Sequence, residues 1–131
     1  KSEGKTLAYM GLHISARELA KIGYLFLHDG KWKKKSLLPK GWTEAATNTS
    51  QELNKDYGYL WWVRTKNADP NLPKDSYNAV GFGGQFLSVF PSQDMIVVRL
   101  TSVLQGNASN VDGDAFARVV LAALEETPTT K

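Results

Sequence analysis

The spacing of hydrophobic residues near the beginning of the chain predicts an amphipathic helix. Between Leu19 and Leu27, apolar residues recur at the three- and four-residue spacing that places them on one face of a helix. Ser15 and Glu18, three residues apart, fit a capping box, in which each side chain satisfies a free backbone N–H at the other residue. Asp29-Gly30 is typical of a helix end. The pattern therefore predicts a helix from Ser15 to the Asp29-Gly30 stop.

Two more helices are predicted further along the chain. Pro39 suits the first turn of a helix and opens a short one through Trp42 to Ala46. The segment Asp112 to Glu126 again has helical spacing, with Asp112 as its cap and Thr127-Pro128 as its stop. The predicted apolar face of this last helix consists of Phe116, Val119, Val120, Ala123 and Leu124.

A second hydrophobic pattern predicts strands. Phe86 to Phe90 and Met95 to Leu100 are apolar on both faces, and the turn residues Pro91 to Asp94 join them into an antiparallel hairpin. Tyr57 to Val63, rich in aromatic residues, predicts another strand. The order of helix, short helix, three strands and helix favours an α+β fold, an antiparallel sheet flanked by helices. Because the hairpin is apolar on both faces, we expect helices on both sides of the sheet.

Three glycines, Gly81, Gly83 and Gly84, lie directly before the hairpin. Glycine weakens a strand interior and marks a bend, or a place where a ligand or a second backbone comes close. The sequence is compatible with a glycine-lined active-site wall and with a bulge or turn that binds nothing.

The composition excludes several classes of protein. With 131 residues, 42% hydrophobic residues and four tryptophans, the chain is one domain or one segment of a larger one, with enough apolar residues for a packed core. It has no cysteine, so thiolate catalysis and Cys-ligated zinc are excluded. No apolar run approaches the roughly 18 residues of a membrane span. The chain begins at Lys1 without a methionine, so we expect a processed or truncated N-terminus, and an upstream targeting segment is compatible with this.

The charge pattern leaves one alternative open. The net charge of +3 is mild, and the basic run Lys31 to Lys35 could touch nucleic acid or form a solvated turn with Trp32 folded onto the core. We favour the turn and predict no nucleic-acid partner, because no second basic patch accompanies the run. His13 and His28 lack partners at metal-ligand spacing, so no metal site is predicted.

Five segments together resemble the C-terminal portion of serine hydrolases related to class C β-lactamases and penicillin-binding proteins. They are Ser15-Ala16-Arg17-Glu18-Leu19-Ala20, Asp29-Gly30, Leu37-Leu38-Pro39 with Trp42, Tyr57-Gly58-Tyr59 with Trp61-Trp62, and Gly81-Phe82-Gly83-Gly84-Gln85. The resemblance runs from about Gly11 to the final helix. It implies an esterase-, amidase- or β-lactamase-like activity through an acyl-enzyme, without a cofactor. It is also compatible with a periplasmic or secreted location.

The resemblance also assigns roles to residues around the glycines. Such enzymes combine a Ser-x-x-Lys pair, a Tyr-x-Asn or Ser-x-Asn element, and a third motif of Lys/His-Ser/Thr-Gly beside the site. The third motif aligns with Ala79-Val80-Gly81, which makes the backbone N–H of Phe82 the candidate oxyanion donor. The implied substrate-binding residues are Ala79, Val80, Gly81, Gly83, Gly84 and Gln85. Ala79 and Val80 replace a cation and a hydroxyl, which tilts the expected substrate towards a less acidic ester or amide.

The other two motifs are not found in usable form. Ser2-Glu3-Gly4-Lys5 matches Ser-x-x-Lys only in letters, because it lies in a polar terminus rather than at the start of a buried helix. We therefore expect residues 1–131 to be a single C-terminal segment of a larger hydrolase domain, with an irregular leader at 1–10 and a polar tail at 127–131. Its expected partners are the absent N-terminal part and a small acyl substrate. Exposed strand edges predict self-association. The alternative is a non-catalytic binding module on the same scaffold.

Overall fold

A computed structural model describes residues 11–65, 69–102 and 112–125 of the chain. In these residues the helices and strands follow the order α1 Ala16–Leu27, β1 Lys31–Trp32, β2 Lys35–Ser36, α2 Trp42–Ala46, β3 Trp62–Val63, β4 Tyr77–Gly81, β5 Gln85–Phe90, β6 Met95–Arg99 and α3 Gly113–Glu125. A short 3-10 turn, Pro91–Gln93, joins β5 to β6. The α+β class predicted from the sequence is confirmed.

The central sheet has four antiparallel strands in the order β3-β4-β5-β6. Strand β5 lies in the middle, paired along its length with β4 on one side and with β6 on the other. Its Val89 and Phe90 are completely buried. Burial of side chains of this size contributes about 2 kcal/mol each. The strongly apolar β5 therefore forms the centre of the core, as its sequence predicts.

Helices cover both faces of the sheet, also as predicted. On one face, Leu87 and Val89 of β5 belong to a core cluster that packs against α1. The two layers come close at Gly23 of α1, where a Cβ would lie 2.8 Å from Ile96. On the other face, Phe90 packs with Ala117 of α3. Alternating side chains of one strand thus contact two different helices.

Helix α1 begins and ends where the sequence predicts. The Ser15 hydroxyl accepts a hydrogen bond from the Glu18 backbone N–H, and the Glu18 carboxylate accepts one from the Ser15 backbone N–H, which completes the capping box. At the other end, Asp29 and Gly30 have positive φ angles, and the Gly30 N–H donates to the Leu25 carbonyl at 2.7 Å. This geometry ends the helix as a left-handed cap does.

The basic run folds into a small hairpin, which the sequence analysis did not predict. Strands β1 and β2 pair through a turn in which Lys33 has a φ of 54°. Trp32 is half-buried, and its ring lies 5.2 Å from that of Tyr24 on α1. The lysines of the run are exposed. The lysines are solvated, as the predicted turn requires, and Trp32, predicted to fold onto the core, is half-buried against Tyr24 of α1.

The predicted strand Tyr57 to Val63 was largely wrong. Only Trp62 and Val63 form a strand, and Tyr57 contributes an isolated bridge to Trp62. The chain reverses between them, since the Gly58 N–H donates to the Trp61 carbonyl and Leu60 has a φ of 66°. The aromatic composition suited a strand, but local hydrogen bonds formed a turn instead.

Three further features of the helices and strands differ from prediction. Residues 77–81, not counted as a strand, form β4, so the glycines join two strands rather than preceding a hairpin. Helix α2 begins after Gly41, which has a φ of 78°, and Pro39 lies before it. On α3 the buried side chain is Ala117, whereas Val119 and Leu124 are exposed. The predicted stop at Thr127-Pro128 lies outside the described residues.

Candidate active site

One edge of β4 is free along its second half. Strand β3 pairs only with Tyr77 and Asn78 of β4. Residues 79–81 pair with β5 on their other side and have no partner strand at the outer edge among the residues that the structure describes. Extended backbone with an unpaired edge can accept an additional extended segment through main-chain hydrogen bonds.

The free edge leads directly into a tight turn. Gly81 and Gln85 form the last pair of the β4–β5 hairpin, so residues 82–84 make the turn. Gly83 and Gly84 have φ angles of 76° and 80°, a conformation that strains any residue with a Cβ. The Phe82 side chain is 87% exposed at the tip. These glycines thus have a conformational role, and they hold Phe82 at the rim of the sheet.

The turn is bonded to the end of β6 by the side chain of Gln85, which the sequence analysis assigned to substrate binding, and by that of Arg99, which it did not assign. The Gln85 amide donates to the Thr101 carbonyl at 2.8 Å and accepts from the Thr101 N–H at 2.9 Å. The Arg99 guanidinium donates to the Gly84 carbonyl and lies over the Phe86 ring. Since these bonds engage both ends of the Gln85 amide, its polar atoms support the turn. No sequence signal distinguishes such partners before the register of the strands is known.

A cavity of about 700 Å³ lies beside the turn and the free edge. Its walls include five of the seven predicted site residues, namely Ala79, Val80, Gly81, Phe82 and Gln85. Gly83 and Gly84 are in the turn but do not line the cavity. Phe86 and Leu87 of β5 also line it. The rest of the wall comes from segments that the sequence analysis did not connect with the site: residues 11–14 before α1, Leu19, Tyr57, Leu60, and Leu100 and Thr101 after β6. They come together because α1 packs across β5 and β6.

The lining of this cavity, hereafter the apolar cavity, is almost uncharged. Of the described residues that line it, none is lysine, arginine, aspartate or glutamate, and His13 is its one basic side chain. Val80 is 49% and Leu60 56% exposed. Half-exposed aliphatic side chains around one concave surface are typical of ligand sites.

A second cavity of about 390 Å³ lies on the α3 side of the sheet and has the opposite character. Asp56, Arg64, Asp69, Asp112 and Asp114 are among its lining residues. Its charged groups are largely paired within the protein: Arg64 with Asp114, and Asp69 with Arg118. We refer to it as the charged cavity. Because its ionic groups already bind one another, it fits a structural role.

Two titrating side chains near these cavities have shifted pKa values. A hydrogen bond from the Asn71 backbone N–H, together with the Arg118 side chain, holds the pKa of Asp69 below its usual range. Burial, and then the nearby Asp75 carboxylate, raises the pKa of the Tyr77 phenol. Tyr77 lies on β4 beside Asn78, and its raised pKa favours the protonated hydroxyl.

The remaining candidate groups occupy separate places. His13 lines the apolar cavity, whereas His28 packs against the Tyr24 ring. Across residues 11–65, 69–102 and 112–125, no group of three or more histidine or carboxylate side chains is arranged to hold a metal ion. Ser2-Glu3-Gly4-Lys5 lies outside the described residues.

None of the helices described combines the length and the apolar character needed to cross a membrane.

Comparison with solved structures shows a similar fold. A protein from Bacillus anthracis, named as a candidate 6-aminohexanoate-dimer hydrolase, superposes with a TM-score of 0.57 at 24% identity. The match covers 84% of this chain and 27% of that one. An uncharacterized protein from Alkalihalophilus pseudofirmus is 32% identical over 100 residues, which is 69% of this chain and 30% of the relative. The chain therefore spans less than a third of either protein.

The family model for β-lactamase matches residues 2–122, nearly the whole chain. The matched region includes the free edge of β4, the glycine turn and both helix-covered faces of the sheet. This chain belongs to the β-lactamase family.

Proposed function

We propose that this chain forms one wall of the acyl-transfer site of a serine hydrolase. The observation that carries the proposal is the free edge of β4, which runs through Gly81 into the turn at Phe82 beside the apolar cavity. In a member of the β-lactamase family, this is the position where a substrate strand and an oxyanion would lie.

In the proposed mechanism, a serine supplied by polypeptide outside this chain attacks the acyl carbon of an ester or amide. A neighbouring lysine accepts the serine proton. The resulting oxyanion accepts hydrogen bonds from the N–H of the nucleophile and from the N–H of Phe82. Collapse of the tetrahedral intermediate breaks the bond to the leaving alcohol or amine, which takes up a proton. Water then hydrolyses the acyl-enzyme to the free acid and restores the serine.

Residues 79–85 have graded roles in this proposal. The extended backbone of Ala79, Val80 and Gly81 aligns the substrate, and Gly83 and Gly84 allow the turn that presents Phe82. Gln85 stabilises the turn through Thr101. Neither Ala79 nor Val80 has a polar side chain that could hold a substrate carboxylate, which favours esterase or amidase activity over efficient β-lactam hydrolysis.

Residues 1–131 would then be one segment of a larger hydrolase domain, inactive alone. The proposal includes association with the remaining part of that domain. Strand β6 supports it, because this terminal strand of the described sheet has no further strand paired at its outer edge. Self-association through the same edge is expected when the segment is isolated.

The experiment compares nitrophenyl-ester hydrolysis by the full-length gene product with hydrolysis by residues 1–131 alone. We expect turnover by the former and background rates for the latter. Strong turnover by the segment would show that the nucleophile lies within it.

A second comparison tests the oxyanion donor. Phe82→Pro removes the N–H and is expected to lower kcat by about 100-fold or more. Phe82→Ala, which keeps the N–H, should retain most of kcat.

The alternative is a non-catalytic binding module on the same scaffold. It is favoured by Ala79 and Val80, where the family's third motif has a cation and a hydroxyl. Labelling by a fluorophosphonate distinguishes the two proposals, because the reagent reacts with an activated serine. A full-length protein that binds ester analogues but resists labelling would support the binding module.

A further inference from the structure

We infer that the apolar cavity receives an uncharged, apolar acyl chain and discriminates against acyl chains that end in a carboxylate or an ammonium group. This inference rests on the proposed function, and it adds the substrate class. Leu60 is the side chain that we assign as the main specificity determinant.

The first argument is the distribution of charge between the two cavities. Val80 and Phe86 line both, and they separate the apolar cavity from the charged one. Every aspartate that lines either cavity, and Arg64, belongs to the charged one. A terminal ammonium in the apolar cavity would lose hydration without gaining an opposite charge from the described lining residues, and a terminal carboxylate would find the His13 imidazole as its one basic partner there. Such desolvation is costly, whereas a methyl terminus gains from leaving water.

The second argument is the exposure of large apolar side chains around this one cavity. Leu12, Leu60 and Phe82 are 69%, 56% and 87% exposed, and all three line it. An alkyl chain inserted between them would remove apolar surface from water on both partners.

The third argument is the backbone conformation of Leu60. Its φ of 66° lies in the left-handed region, which costs a leucine of order 1 kcal/mol and suits glycine or asparagine better. Bonds on either side hold this conformation: Gly58 N–H donates to Trp61 at 2.8 Å, and Tyr59 N–H donates to Ala46 at 2.9 Å. A leucine at this strained position places a large aliphatic group at the cavity wall.

The test uses the full-length gene product and three p-nitrophenyl esters of matched acyl length: hexanoyl, 6-aminohexanoyl and adipoyl. Water cleaves each to its carboxylic acid and nitrophenolate. The esters therefore differ only at the far end of the acyl chain, which is methyl, ammonium or carboxylate. We expect kcat/KM for the hexanoyl ester to exceed both others by about tenfold or more.

A charge placed at the cavity wall should change this order. Leu60→Glu should raise kcat/KM for the 6-aminohexanoyl ester relative to the hexanoyl ester by about tenfold, through attraction of the ammonium group. Leu53→Glu is the matched control, because Leu53 is 95% exposed and does not line the cavity. The control should leave the ratio of the two esters unchanged.

The outcomes separate this inference from the proposed function. Turnover with equal or greater preference for a charged ester overturns the inference and leaves the hydrolase proposal standing. No turnover of any ester, together with no fluorophosphonate labelling, rejects the hydrolase. In that case, displacement of the uncharged fluorophore N-phenyl-1-naphthylamine tests the cavity directly. Displacement by hexanamide but not by 6-aminohexanamide supports the apolar preference, and equal displacement by both overturns it.

Discussion

Arg64 and Asp114 face each other across two hydrogen bonds of 2.8 Å, although 50 residues separate them in the sequence. The Arg64 side chain is only 9% exposed, and its Nε also donates to the Ser76 hydroxyl at 3.1 Å. With its amide oxygen towards Arg64, Asn78 accepts another bond from the guanidinium. One arginine thus connects the segment after β3, the beginning of β4 and the first turn of α3.

Arg64→Met should destabilise the fold by about 3 kcal/mol, because it leaves the Asp114 carboxylate partly buried without its partner. The free energy of unfolding in urea measures this. Arg17→Met is the matched control, since Arg17 is exposed on α1, and it should change stability little. A double substitution, Arg64→Met with Asp114→Leu, should cost less than the single one. Equal losses at Arg64 and Arg17 would contradict the assigned role.

Gly58→Ala should destabilise the protein by about 3 kcal/mol or more, because a Cβ there would lie 2.1 Å from the Ala46 carbonyl oxygen and 2.7 Å from that of Asn48. Main-chain atoms cannot move aside without disturbing α2. Gly23→Ala is the comparison: its nearest atoms, 2.8 and 2.9 Å away, belong to the side chains of Ile96 and Leu87. Thermal unfolding should show a clearly larger loss for the Gly58 variant. Equal losses would show that α2 adapts.

Ser15→Ala should cost about 1 kcal/mol, since it removes the cap of α1. The Ser15 hydroxyl, and then its backbone N–H, donate to the Glu18 carboxylate and hold the pKa of Glu18 below its usual value of 4.5. A lowered pKa in the folded state gives stability that is present above that usual value and lost as pH falls through the folded pKa.

Glu18→Gln isolates the acidic component of the cap. Wild type should be more stable than this variant at neutral pH, and the difference should shrink as pH falls below about 4.5. Urea unfolding at a series of pH values measures it. A difference that stays constant with pH would show that the carboxylate charge is not involved.

Tyr77→Phe should make the protein more tolerant of alkali. Burial, and then Asp75, raises the pKa of the Tyr77 phenol above its usual 10.0. A raised pKa in the folded state gives stability that is fully present below the unfolded value and lost as pH rises towards the folded one. Wild type should therefore lose stability above about pH 10 faster than Tyr77→Phe. Tyr59→Phe, at a side chain 51% exposed, is the control and should follow wild type.

The sequence predicted those parts of the fold that depend on local chemistry or on a single strong pattern. Ser15 with Glu18 specified the start of α1, and the apolar run around Val89 specified the central strand. Local composition could not distinguish a strand from a turn at residues 57–63. The turn there depends on Gly58, whose N–H donates to the Trp61 carbonyl and whose backbone lies close to the Ala46 carbonyl of α2. Such a contact appears only when distant segments meet.

The candidate site shows the same division. The bend at Gly83 and Gly84 could be predicted from the sequence, because the positive φ angles of such a turn favour glycine, whereas the role of Phe82 belongs to the proposed function. Leu60, Thr101 and Arg99 could not, since their positions around the turn follow from strand register and from the crossing of α1 over the sheet. Neither the strand register nor the crossing of α1 can be predicted from the spacing of residues in the sequence.

Val80 and Phe86 form a shared partition, with the apolar compartment on one side and the ionic network of Arg64 on the other. Under the proposed function, a substitution at either residue would change both the fit of the acyl chain and the surroundings of Arg64, which pairs with Asp114 on the last helix. Changes of specificity at these two positions would then be coupled to folding, whereas Leu60 and Phe82, which are more than half exposed and line the apolar cavity but not the charged one, would be less constrained. If the proposed function holds, we expect related hydrolases to differ in substrate preference first at the positions of Leu60 and Phe82.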